Sequence, residues 1–146
     1  METSPNIQLA VPFFMVSDME SSLQFYVEKL GFALINKWTP HGKIEWCWLK
    51  RDGVSLMLQE LRNKEQFKET EKGKGVSICF QCKDALALYH EFRNHDIKIA
   101  EPFVGNKMWV VAFTDPDGYR LDFESPTDVP EETMYSDFVK TMNQTS

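Results

Sequence analysis

The sequence predicts an α+β fold: two tandem βαβββ modules forming curved mixed half-sheets around a concave pocket, with helices on the outside. Three observations carry this. Hydrophobic periodicity changes from two to 3.6 and back, in the order strand, helix, three strands, and does so twice. The second pass lies on the first at a shift of about 65 to 66 residues, with Asp18 on Asp84, Phe14 on Phe80, Tyr26 on Phe92 and Gly53 on Gly118. The strands are separated by turn chemistry, TPHG, RDG and DPDG.

The elements follow in order. The apolar run IQLAVPFFMVSD predicts a first strand over 8–16 with both faces covered, Pro12 marking an edge or bulge. Ser17-Asp18-Met19-Glu20 has the spacing of a capping box. Met19, Leu23, Tyr26 and Leu30 then recur at helical spacing, and Gly31 closes the helix. Strands are expected over 32–38, 44–50 and 54–60. The pattern restarts at Val76, with VSICFQC as a strand and a helix over 84–95 that turns Ala85, Leu88, Tyr89 and Phe92 inward. Strands over 97–100, 107–114 and 119–124 complete the second unit.

This places the whole chain, 1–146, in a single domain, with module one over about 7–61 and module two over about 76–126. Between them the polar, charge-rich segment 62–75 reads as a linker or mobile loop. The tail, 127–146, is expected to hold a short helix from near Pro130. Its apolar stripe of Met134, Phe138 and Met142 suits docking on this chain or on a second copy.

Composition narrows the function. A net charge of −6 lacks the basic face that nucleic-acid binding needs. There is no apolar run of membrane-spanning length, and METSPNIQ lacks the basic start and apolar stretch of a signal peptide. Three cysteines without an export signal fit reduced thiols and a cytoplasmic location. Cys79 and Cys82 form a Cys-x-x-Cys pair, but three residues along a strand place them on opposite faces.

The most informative run is FTDPDGYRLDFESP, Phe113 to Pro126. It reads as strand, tight turn, strand. After the turn Tyr119, Leu121 and Phe123 alternate with Arg120, Asp122 and Glu124, so apolar and charged side chains take opposite faces.

This run, together with VPFFMVSDMESSLQFYVEKLGF from Val11 to Phe32, resembles the vicinal-oxygen-chelate superfamily. That group includes glyoxalase I, extradiol dioxygenases, fosfomycin-resistance enzymes, methylmalonyl-CoA epimerase and the bleomycin-resistance binding proteins. The resemblance covers residues 7–126 and specifies the fold more than the reaction. In the metal enzymes of the family, ligands come from the first and last strand of each module. Those positions here are Val11, Met57, Ser77 and Asp122, of which only Asp122 suits a hard divalent ion. His41 in a turn and His90 and His95 on the second helix do not supply the rest. The resemblance therefore implies the metal-free, bleomycin-resistance-like branch, with no metal and no cofactor.

The resemblance puts its ligand positions, among them Met57, Ser77 and Asp122, on the inner face, and the strand period then brings Phe13, Gln59, Arg120 and Glu124 to the same side. Trp46 and Trp48 alternate with Glu45 and Cys47, and they are expected there together with Trp109. Aromatic walls with an acidic strand suit a planar or cationic aromatic guest. The sequence reading is thus a small-molecule-binding protein, by resemblance a possible antibiotic-resistance protein, and a homodimer. Its alternative is a metal-free or atypical enzyme of lyase, isomerase or dioxygenase type, with Asp122 or Glu124 as general acid or base.

Overall fold

A computed structural model describes residues 4–63 and 71–144. The elements are β1 (Phe13–Val16), α1 (Met19–Leu23) running on as a π-helical segment (Gln24–Lys29), β2 (Ala33–Trp38), β3 (Trp46–Arg51), β4 (Val54–Glu60), β5 (Ser77–Gln81), α2 (Ala85–Asn94), β6 (Phe103–Gly105), β7 (Met108–Thr114), β8 (Arg120–Pro126) and α3 (Tyr135–Gln144). They build the predicted α+β arrangement as two four-stranded mixed sheets, ordered β1-β4-β3-β2 and β5-β8-β7-β6. In each sheet the first strand pairs in parallel with the last, and the other pairs are antiparallel.

One side of each sheet faces the helices and forms the core. Phe14 and Phe80, Tyr26 and Phe92, the pairs matched by the repeat, are all buried in one cluster. Phe113 bridges the halves, meeting Phe25 edge-on from one module and Phe92 from the other. The seam is also polar. The Tyr26 hydroxyl donates to Asp115 at 2.6 Å, and burial pushes the pKa of both groups up. Tying off these groups internally avoids the desolvation cost of an unpaired buried polar atom.

Several expectations change. β1 is short because Pro12 lacks an N–H; only its carbonyl joins the ladder, accepting from Met57. Its outer face is open, with Phe13 46% exposed, so the apolar run does not mark a strand covered on both sides. Asp18, not Ser17, caps α1, taking the Glu20 N–H and the Ser21 hydroxyl, while Ser17 is drawn to Asp117. The π-helical segment widens the buried stripe to Phe25 and Tyr26 together, and Gly31 follows at φ +79° as predicted. Residues 97–100 are not a strand. The chain leaves α2 through Asp96 at φ +62° and first pairs after Pro102, where Phe103–Gly105 hairpins onto β7 through Asn106 and Lys107, both at positive φ.

The tail helix starts five residues later than expected. Residues 132–135 are instead bonded to β6 and its approach through Thr133, Glu132 and Tyr135. Of the expected stripe, Phe138 packs on Trp109 while Met142 stays exposed, and Tyr135 supplies the second docking contact. Residues 64–70 of the charged segment 62–75 lie outside the described residues; residues 71–75 form turns. Among the described residues no helix is long and apolar enough to cross a membrane.

Candidate functional site

The side of each sheet that faces away from the helices, expected as the inner face of a concave pocket and called the outer face of the sheet here, carries the candidate site. On sheet one, strand register lines residues into rows across the strands. One row runs Phe13, Met57, Trp48, Asn36; the next runs Met15, Gln59, Trp46, Trp38. Paired residues share a face, so the period-two placement of Trp46 and Trp48 beside Phe13, Met57 and Gln59 holds. Trp46, Trp48 and Met57 are half-buried, and their neighbours on β3, Cys47 and Leu49, are fully buried on the other side. Trp38, 48% exposed, extends the row and was not singled out from the sequence. Its signal was the antiparallel partner: the β2–β3 connection over 39–45 opposes Trp38 to Trp46.

On sheet two the rows are Ser77, Arg120, Thr114, then Cys79, Asp122, Ala112, then Gln81, Glu124, Val110, Phe103. Asp122 is buried and accepts from Arg120 Nε at 3.1 and 3.3 Å. Glu124 accepts the Cys79 thiol at 2.9 Å, and Gln81 donates to the same sulfur. Cys79 is exposed, and partial desolvation of its thiol first, then the Glu124 bond, pushes its pKa up to about 11.

Trp109 is a correction. It pairs with Ser125 and Val104 and is buried on the helix-facing side against Tyr135 and Phe138. The hairpin register dictates this. With Thr114 opposite Arg120, Ala112 falls opposite Asp122 and shares its face, so Trp109, an odd number of residues away, takes the other.

Sheet one's outer face is therefore apolar and aromatic, whereas sheet two's is polar along β5 and β8, where Asp122 and Glu124 lie, and apolar along β7 and β6 at Ala112, Val110 and Phe103. Among the described residues no hydrogen bond, ion pair or ring contact joins Trp46 or Trp48 to Asp122 or Glu124. The four metal-ligand positions of the resemblance do not make a donor set for a hard divalent ion. Val11 has no donor, Met57 offers a thioether, Ser77 is a neutral hydroxyl opposite Arg120, and Asp122 is already bound by Arg120. Among the described residues no group of three or more His, Cys, Asp or Glu gathers elsewhere.

Comparison with known proteins agrees with this architecture. Residues 8–123 match the family model described as the Glyoxalase/Bleomycin resistance protein/Dioxygenase superfamily. Among curated proteins none matches by sequence. Solved structures similar to this chain include TnmS3, an antibiotic binding protein from Streptomyces sp. CB03234, at 23% identity and TM-score 0.64, covering 85% of this chain and 100% of that one. A bleomycin resistance determinant encoded on transposon Tn5 superposes at TM-score 0.66 with 21% identity, covering 84% and 100%. A glyoxalase/bleomycin resistance protein/dioxygenase from Nocardioides gives TM-score 0.64 at 16% identity, covering 88% and 89%. At these identities the likeness speaks for the fold, and the family model covers most of the chain: this protein belongs to the glyoxalase/bleomycin resistance protein/dioxygenase superfamily.

Proposed function

We propose that the protein is a non-catalytic binder of a planar, cationic aromatic small molecule, working without a metal and as a homodimer. The observation that carries this is the pair of aromatic rows on sheet one, Trp48 with Met57 and Phe13, and Trp46 with Trp38. A contiguous aromatic surface that is exposed at Phe13 and Trp38 and half-buried at Trp46 and Trp48 suits a binding face on a small domain. The outer side of β8 supplies the charge such a guest needs, through Glu124 and the Arg120-paired Asp122. In this reading a second copy brings its Asp122 and Glu124 to the first copy's aromatic rows, since among the described residues no hydrogen bond, ion pair or ring contact joins Trp46 or Trp48 to either carboxylate. Antibiotic-binding and bleomycin-resistance proteins among the structural neighbours support small-molecule binding as the class of function.

The test is a fluorescence titration with proflavine, a planar cation. Saturable quenching of tryptophan emission at micromolar dye, together with a dimeric mass by light scattering, is the expected result. A monomeric mass at saturating dye would remove the two-copy site. Turnover of a substrate that vanishes in Glu124→Gln while dye affinity persists would favour the alternative, Glu124 or Asp122 as general acid or base.

A further inference from the structure

The repeat creates two corners where the modules meet, and they are finished differently. At the first, module two's hairpin turn reaches module one. The Tyr119 ring stacks on Phe14 with centroids 4.3 Å apart and planes 13° from parallel. Its hydroxyl donates to the Met15 carbonyl at 3.0 Å and accepts from the Met15 N–H at 3.3 Å. Asp117 takes the Ser17 N–H and Lys72 Nζ, and the ammonium and carboxylate are both nearly fully buried. This corner is full.

At the second corner the repeat sets module one's turn against module two. Phe80 stands for Phe14 and Gln81 for Met15. Counting outward from Gly53 on Gly118, Asp52 stands for Asp117 and Val54 for Tyr119. The ring is missing, and Asp52, 92% exposed, stands at the rim of the space. What remains is a cavity of about 450 Å³ whose lining includes Val54, Phe80, Gln81, Leu88 and Phe92, a volume in the range of small-ligand sites.

The cavity also offers the hydroxyl's partners. β5 is an edge strand whose bonds to β8 include the Cys82 N–H to the Glu124 carbonyl. Alternation along a parallel ladder turns the N–H and C=O of Gln81 the other way, to the free edge. These are the counterparts of the Met15 groups that hold Tyr119, and among the described residues no hydrogen bond of theirs is found. Phe123 covers the side of Phe80 toward β8, stacked at 4.5 Å. The surface that Phe80 keeps, 6% exposed, borders the cavity.

We propose that this second corner is a binding site for a small hydroxyaromatic molecule, a phenol or naphthol. Its ring lies on Phe80 as Tyr119 lies on Phe14, and its hydroxyl donates to the Gln81 carbonyl and accepts from the Gln81 N–H. The site is separate from the outer faces and does not rest on the function proposed for them.

The experiment is a ¹H–¹⁵N correlation titration of the intact chain with 2-naphthol, with naphthalene as the ring lacking a hydroxyl. Saturable shifts at the amides of Val54, Gln81, Cys82 and Lys83 are expected, with naphthalene binding at least about tenfold more weakly. Val54→Tyr places the chain's own ring in the corner and should abolish these shifts. Shifts absent from Gln81 and Cys82, equal binding of naphthalene, or a folded Val54→Tyr protein that still gives the same shifts would each overturn the proposal. If Val54→Tyr does not fold, the parent protein's shift map and the naphthalene comparison decide alone.

Discussion

Phe14 in sheet one and Phe80 in sheet two occupy the same place in the repeat, as do Tyr26 and Phe92, and all four are buried. Asp18 and Asp84 cap the two helices from the same position. On the outer side the correspondence ends. Met57 and Gln59 of β4 answer to Asp122 and Glu124 of β8, and the tryptophans of β3 answer to Val110 and Ala112 of β7. The buried side is constrained by packing against helices at close to crystal density. The outer side carries no such constraint, so its chemistry is free to serve a ligand.

The largest expected effect lies on the buried side. Phe123→Ala would remove a ring stacked on both Phe80 and Phe113 and should cost about 3–5 kcal/mol of stability, read as a fall in the urea midpoint. Trp48→Ala, on a half-buried site of the outer face, should cost less than half as much. It should instead weaken proflavine binding by about tenfold or more, the scale of a binding hot spot of about 1.4 kcal/mol or above. Equal stability losses in the two variants would mean that both sides of the sheet are core, and the comparison would break.

Much of this was legible in the sequence, and where it was not the reason is physical. Period two fixes which residues share a face within a strand, so Trp46 with Trp48 and Asp122 with Glu124 were readable. It does not fix which face looks outward. That requires register, and for Trp109 the register was encoded in the DPDG turn, not in the apolar pattern of β7. Helix existence was readable from Asp18 and Asp84. The π-helical segment was not, because Phe25 beside Tyr26 fits a helical stripe only once the backbone has widened. The division of the outer faces into an aromatic one and one with an acidic strand depends on which strand ends up beside which. That is a tertiary fact.

A smaller effect separates the two outer faces from each other. Asp122→Asn with Glu124→Gln leaves the aromatic rows intact and removes the acidic contribution. Proflavine affinity should fall several-fold at low salt, the loss should shrink as ionic strength rises toward 1 M, and a neutral planar dye should bind as to the parent. Equal losses for charged and neutral dyes would mean that the carboxylates shape the site sterically and not by charge.

The smallest effect concerns the charge pair that ties the modules together on their exposed side. Arg51 of module one forks onto Glu91 of module two at 2.7 and 2.9 Å, with both side chains partly in solvent. The Arg51 hydrogen bond, as the leading cause, holds the Glu91 carboxyl below its usual value of 4.5. A carboxyl whose pKa is lower in the folded chain contributes stability above its unfolded value, and that contribution is lost as pH falls through the folded value. Glu91→Gln should therefore lower the thermal midpoint slightly at pH 7, within about 1 kcal/mol as for an exposed pair. The gap between the two proteins should close as pH drops below about 4.5. Asp115 works in the opposite sense, since burial raises its pKa and its protonation favours the folded chain as pH falls. Both proteins carry Asp115, so the difference between their pH profiles isolates Glu91. A gap that stays constant from pH 7 to pH 3 would show that the pair acts through packing of Arg51 over Phe92, 5.9 Å from its ring centroid, and not through charge.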